Sequence, residues 1–113
     1  MSETKKPETS LRQQIGAVTW TDLTVSNAEE VKNFYKEIVG WTFEPLSMGD
    51  YDDCVMKSPT NDMPIAGICH ALGTNKDIPP QWLIYITVEN IDKSSSRCVE
   101  LGGKILACQD NAI

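Results

Sequence analysis

A chain of 113 residues with sixteen acidic and ten basic side chains, net charge -6, has room for one modest core and carries no basic footprint for a phosphate backbone. Hydrophobic content of 41% and charged content of 23% are those of a folded globular domain, which argues against a disordered chain and against a membrane protein. No Lys/Arg cluster exceeds the pair Lys5 and Lys6, so nucleic acid is not an expected partner.

The longest apolar run, Trp82 to Val88, is far below the roughly 20 residues of a membrane span, and no apolar secretory segment opens the chain. A cytoplasmic protein with no membrane partner is therefore expected. The four cysteines, Cys54, Cys69, Cys98 and Cys108, are widely spaced without a C-x-x-C pair, which speaks against a redox dithiol, a zinc knuckle or a disulfide framework. They read as reduced thiols.

Residues 1–14 are polar and without period, so a disordered arm is expected there. Ile15 to Val25 reads as a strand with Trp20, Asp22 and Thr24 on one face and Leu23 and Val25 on the other, the second pair meeting a helix. At Ser26 the period changes from 2 to 3.6, with apolar Ala28, Val31, Phe34, Tyr35 and Ile38. Ser26 with Glu29 suggests a capping box, and Gly40 falls where a left-handed C-cap belongs.

A second strand is expected over Trp41 to Leu46, ended by Pro45 and the turn signals of Ser47 to Asp50, and a third over about Tyr51 to Lys57. Ile65 to His70 suits a fourth, and residues 72–81, with Gly73, Pro79 and Pro80, read as a linker. Trp82 to Val88 is a strong strand, Asn90 to Leu101 a helix capped by Gly102, and Gly103 to Cys108 a further strand.

The two strand–helix passages echo each other. Val25-Ser26-Asn27 aligns with Val88-Glu89-Asn90, and Val39-Gly40 with Leu101-Gly102 after one deletion. Carried to the end of the first unit, the repeat leaves the second short by about 20 residues.

Paired βαβββ units, together with Trp20-x-Asp22-Leu23, Phe34-Tyr35 before Val39-Gly40-Trp41, Ala66-Gly67-Ile68, Pro80-x-Trp82-Leu83-Ile84-Tyr85 and Leu101-Gly102-Gly103-Lys104, resemble the vicinal oxygen chelate superfamily of glyoxalase I, bleomycin-resistance proteins and extradiol dioxygenases. The resemblance covers about residues 15–108. It implies an α+β fold of paired βαβββ modules with curved mixed sheets around a cavity, the second module incomplete. Module one would take residues 15–72, a linker 73–81 and the partial module 82–113, the whole forming a single domain from residue 15 onward. A homodimer is implied as well, since cavities of this family are commonly completed across modules.

In such a fold one sheet face meets the helices and the other lines the cavity, so strand alternation offers Trp20, Asp22 and Thr24 from the first unit and Leu83, Tyr85 and Thr87 from the second. Trp20 and Tyr85 would supply an aromatic wall for a small ligand, while Trp82 turns away to pack against the second helix. Metal-dependent members resemble one another in carrying His or Gln on the first strand of a unit; the matching positions here are Trp20 and Leu83, neither a ligand. No metal or other cofactor is therefore expected, with a divalent metal as the alternative.

His70, the only histidine, is a candidate general base, since imidazole is the side chain that exchanges protons near neutral pH. Asp22 is a candidate base or an anchor for a polar group, or else a sheet-supporting carboxylate bonded to Tyr85. The reading that follows is a small-molecule binding protein, metal-independent, with its ligand in an aromatic-lined cavity. The alternatives are a metal-dependent lyase or dioxygenase of the same superfamily and a non-catalytic scaffold.

Overall fold

A computed structural model describes residues 14–106. The expected arm of residues 1–14 lies outside the described residues except for Gln14. The chain divides into two compact units, Val18–Ile86 and the segments that flank it.

The first unit is built on β1, Val18–Val25, whose alternation sends Leu23 and Val25 to one face and Trp20, Asp22 and Thr24 to the other. Helix α1, Ala28–Val39, packs on the Leu23 side through Ala28, Val31 and Tyr35. It starts from Asn27, one residue later than a capping box would require. The box between Ser26 and Glu29 is therefore not formed. Glu29 is in the second helical position, where its carboxylate takes the Lys32 ammonium at 2.7 Å, and Glu30 holds the Asn27 amide at 3.0 Å. Both acids still face the positive end of the helix dipole. The C-terminus is as expected: Gly40 has φ 80° and donates its N–H to Lys36 O, a conformation that costs a residue with a Cβ about 1 kcal/mol or more.

Strands β2, Thr42–Ser47, and β3, Asp52–Lys57, form a hairpin closed by Met48 N–H on Tyr51 O at 2.8 Å. Pro45 does not end β2 but sits within it opposite Cys54. It is tolerated because β2 is an edge strand, where one N–H per pair of residues has no ladder partner to lose. β4, Pro64–His70, runs antiparallel to β3 and parallel to β1, and β5, Trp82–Ile86, closes the far edge antiparallel to β1. The sheet order is β2-β3-β4-β1-β5, the mixed βαβββ module extended by one strand. The expected linker between β4 and β5 contains one short 3₁₀ turn, Gly73–Asn75.

The core is Leu23, Val25, Ala28, Cys54, Met56, Ala66 and Ile68. Its rim is aromatic: Tyr35 stacks on Trp41 at 5.2 Å, Trp82 meets both edge-on, and the Trp82 indole donates to the Tyr35 hydroxyl at 3.1 Å. Trp82 thus packs against the first helix, through Tyr35. Its register opposite Leu23 puts it on the helix side of β1, and α1 is the helix that covers that side.

In the second unit α2, Ile91–Glu100, is capped by Asn90, whose side chain accepts Lys93 N–H at 3.0 Å. The strand expected at Gly103 to Cys108 is not formed over 103–106, and Cys108 lies outside the described residues. Gly103 instead turns back on the helix, its N–H on Cys98 O at 2.8 Å, so closely that a Cβ there would strike the Cys98 sulfur. Among the described residues no helix is long and apolar enough to cross a membrane.

Candidate functional site

The face of the sheet opposite α1 carries the polar side chains. Pairing of Asp22 with Gly67 and with Leu83, of Thr24 with Cys69 and of Trp20 with Tyr85 puts all of these on one side. Val55 pairs with Gly67, which adds Val55 and, two residues earlier, Asp53.

Asp22 is the centre of the group. Only 5% exposed, it accepts the Trp20 indole N–H on Oδ1 and the Tyr85 hydroxyl on Oδ2, each at 2.6 Å. Hydrogen bonds to a charged acceptor contribute about 1.5–3 kcal/mol each, enough to hold both rings in place. The carboxylate reaches this position because residue 67 has no side chain: a Cβ at Gly67 would overlap Asp22 Oδ1. Burial, and then the bond to Asp22 and its charge, push the Tyr85 phenol well above its ordinary range, so it remains a donor. Asp22 is accordingly hydrogen-bonded to Tyr85, as in the sheet-supporting reading of its position.

Beside it, Thr24 and Cys69 are buried and hydrogen-bonded to each other. Burial, with the charges of Asp22 and Asp53, pushes the Cys69 thiol up to about 12. The group is a protonated thiol, not a nucleophile.

Of the residues expected to line a ligand site, Trp20, Asp22, Thr24, Leu83 and Tyr85 share this face. Thr87 lies past the end of β5, in the other unit, where its backbone exchanges hydrogen bonds with Gly16 and Ala17. His70 ends β4 apart from Trp20 and Tyr85. Its N–H donates to Asp53 Oδ1 at 2.8 Å, its Nδ1 lies 3.3 Å from the same oxygen, and the Tyr51 ring meets its edge at 5.4 Å.

Asp53 and Gly67 are the residues that sequence reasoning missed. Asp53 reads as part of an acidic turn, Asp50 to Asp53, and only its phase with Val55 marks it as facing the sheet interior. A depression of about 590 Å³ is lined by Glu89, Asn90, Lys93 and Arg97 among others, all from α2 and its entry.

The donors on this face do not fit a divalent metal. At the two first-strand positions stand an indole, whose N–H is already given to Asp22, and the alkyl side chain of Leu83. Among the described residues no three of His, Cys, Asp or Glu come together as a ligand set.

Comparison with known proteins agrees with the βαβββ topology. The chain is 29% identical over 90 residues to the anthracycline biosynthesis protein DauV of Streptomyces sp. (strain C5), a match covering 80% of this chain and 32% of that one. DnrV of Streptomyces peucetius, also named for anthracycline biosynthesis, is 28% identical over 90 residues with the same two coverages. CFP32 of Mycobacterium tuberculosis, named as a glyoxylase, is 25% identical over 92 residues, covering 80% of this chain and 35% of its own. The chain therefore spans about a third of the length of these curated relatives. A sequence model of the Glyoxalase/Bleomycin resistance protein/Dioxygenase superfamily matches residues 15–108, and the chain belongs to that superfamily.

Proposed function

We propose that this chain is a small-molecule-binding module that works without a metal, its ligand lying on the face formed by Trp20, Asp22, Thr24, Leu83 and Tyr85. The observation that carries the reading is the buried Asp22 carboxylate, which fixes an indole and a phenol side by side with two 2.6 Å bonds. Rings held in this way present flat apolar area with little side-chain entropy left to lose on binding. The Tyr85 oxygen, having donated its proton to Asp22, keeps lone pairs to accept a hydrogen bond from a ligand. A planar aromatic compound with a donor group at its edge matches these features. Two relatives are named for anthracycline biosynthesis, and anthracyclines are compounds of that shape.

Trp20 is the only tryptophan on this face, since Trp41 and Trp82 belong to the helix-side rim. Titration with an anthracycline should quench tryptophan fluorescence in the parent and in Trp82→Phe, and the saturable part of the quenching should vanish in Trp20→Ala. Saturable quenching that survives Trp20→Ala sinks the assignment of this face. The competing reading, a metal-dependent lyase or dioxygenase, draws on the relative named as a glyoxylase. A stoichiometric first-row metal in the purified protein would favour it and overturn the metal-free reading.

A further inference from the structure

We propose that His70 and Asp53 form a second, separate site, a general-base pair in which Asp53 orients the imidazole and Nε2 is the proton acceptor for an uncharged carbon or oxygen acid. The pair uses none of Trp20, Asp22 or Tyr85 and does not depend on the binding proposed for that face.

The argument starts from Asp53. It is 2% exposed on a strand, a place where a carboxylate persists only if its oxygens find donors. Its Oδ1 takes the backbone N–H of His70 at 2.8 Å, and the Cys69 thiol is hydrogen-bonded to the same carboxylate. The His70 Nδ1 lies 3.3 Å from that oxygen. Two features of the ring follow. A carboxylate accepts, so the neutral imidazole carries its proton on Nδ1 and leaves the lone pair on Nε2. The edge that meets Asp53 carries Nδ1, so Nε2 lies on the opposite edge of the ring, and the side chain as a whole keeps 17% exposure. The Tyr51 ring, 5.4 Å away and inclined at 64°, restrains the imidazole from the side.

This is the orienter-and-base part of a catalytic constellation, without a nucleophile. Cys69 cannot supply one: its thiol is buried, pushed up to about 12, and turned to Asp53 and Thr24 rather than to the imidazole. The transferred group is therefore a proton. As Nε2–H forms, the C–H or O–H bond of the substrate breaks, leaving its electron pair on carbon or oxygen. The imidazolium charge is held against Asp53, and the proton returns to product or solvent, so that no oxidant or reductant is consumed. The Asp53 carboxylate beside the ring disfavours an anionic group next to the proton to be removed and selects an uncharged acid.

His70 is the only imidazole in the chain, which makes the test direct. In the uniformly 15N-labelled protein with its ring neutral, the ring-nitrogen shifts should report Nδ1–H with Nε2 bare, and Asp53→Asn should move the proton to Nε2. With ethyl dichloroacetate as probe, an ester whose alkoxide is too poor a leaving group for direct attack by imidazole to be productive, water attacks the carbonyl as Nε2 takes its proton, and dichloroacetate and ethanol leave. The parent should exceed His70→Gln in this hydrolysis by about 10²-fold, the lower end of a general base's usual contribution. Asp53→Asn should lose most of that excess, while His70→Gln leaves anthracycline quenching of Trp20 unchanged. An Nε2–H tautomer in the parent, a measurement that needs no variant to fold, overturns the proposal. So does a parent hydrolysis rate equal to that of His70→Gln.

Discussion

Leu23 and Asp22 are neighbours on β1 and equally buried, at 7% and 5% exposure, yet they point to opposite faces and are held by different physics. On the helix side, Met56, Ile68, Ala66 and Leu23 need only fill space, and their contribution follows the apolar area removed from water. On the other side, Asp22, Asp53, Thr24 and Cys69 are as deeply buried, but Asp22 and Asp53 are held by particular donors, the Trp20 indole and Tyr85 hydroxyl at 2.6 Å and the His70 N–H at 2.8 Å. The first face tolerates shape-conserving change and the second does not, because a buried donor left without its acceptor loses the bond and its hydration together. A protein with no use for the second face would be better served by alkyl groups there. That it carries a satisfied polar network is the strongest structural argument for locating function on this side.

The largest effect that would sharpen the contrast is on the helix side. Ile68→Ala, at a position 1% exposed, should lower stability by about 2–5 kcal/mol in urea unfolding while leaving anthracycline quenching intact in the folded fraction. If quenching is lost along with stability, the two faces are not independent.

Gly67→Ala comes next and acts on the polar face alone. The added methyl overlaps Asp22 Oδ1, so the carboxylate must shift and the Trp20 bond is the first to go. A cost of about 1–3 kcal/mol is expected, with a change in Trp20 fluorescence. Because both effects pass through one carboxylate, Gly67→Ala combined with Asp22→Ala should be no less stable than Asp22→Ala alone. Simple additivity in that cycle would mean that Gly67 is needed for some other reason.

How much of this could be read from the sequence differs between the faces in the same way. The apolar side was legible: alternation along β1 sent Leu23 and Val25 toward a helix, and the 3.6 period gave that helix the residues to receive them. The α+β fold and Gly40 followed from local chemistry. The departures from it have identifiable physical causes. The helix start moved by one residue because Asn27, Glu29 and Glu30 offered a competing set of bonds, and Pro45 was read as a stop because sheet order, hence its edge position, is not a local property. The polar side was half legible. Trp20, Asp22, Thr24 and Tyr85 followed from strand phase, but Asp53 and Gly67 have their meaning only through β3–β4 and β1–β4 registers that no window of sequence contains.

Thiol chemistry compares the faces more finely. Cys98 on α2 is exposed, whereas Cys54 and Cys69 are buried on opposite sides of the sheet. Under native conditions iodoacetamide should label Cys98 quickly and leave Cys54 and Cys69 unmodified until the protein unfolds, with the labelled sites read by peptide mass. Early labelling of Cys69 would mean that the polar face opens locally, at less than the global unfolding free energy.

The alkaline limb of stability should distinguish the same two buried cysteines by their neighbours. Burial pushes both thiols above the ordinary 9.0; at Cys54 Lys32 acts against the rise more strongly than Glu29, Asp53 or Asp52 each adds to it, while at Cys69 Asp22 and Asp53 add to it and the thiol reaches about 12. A raised folded-state value means that the folded protein holds the proton more tightly than the unfolded chain does. The associated stability is thus fully present below pH 9 and is lost as pH climbs toward about 12. Tyr85, pushed up from 10.0 by burial and by Asp22, adds to the same decline from its own ordinary value upward. Urea midpoints taken across this window should fall with pH in the parent and fall least in Cys69→Ala, with Tyr85→Phe flattening the upper part of the slope. Cys54→Ala should flatten it less than Cys69→Ala does, since a thiol beside an ammonium gives up its proton more readily than one between two carboxylates. Equal slopes for the two cysteine variants would mean that burial alone sets both thiols, and that the charges of the polar face are better screened than their burial implies.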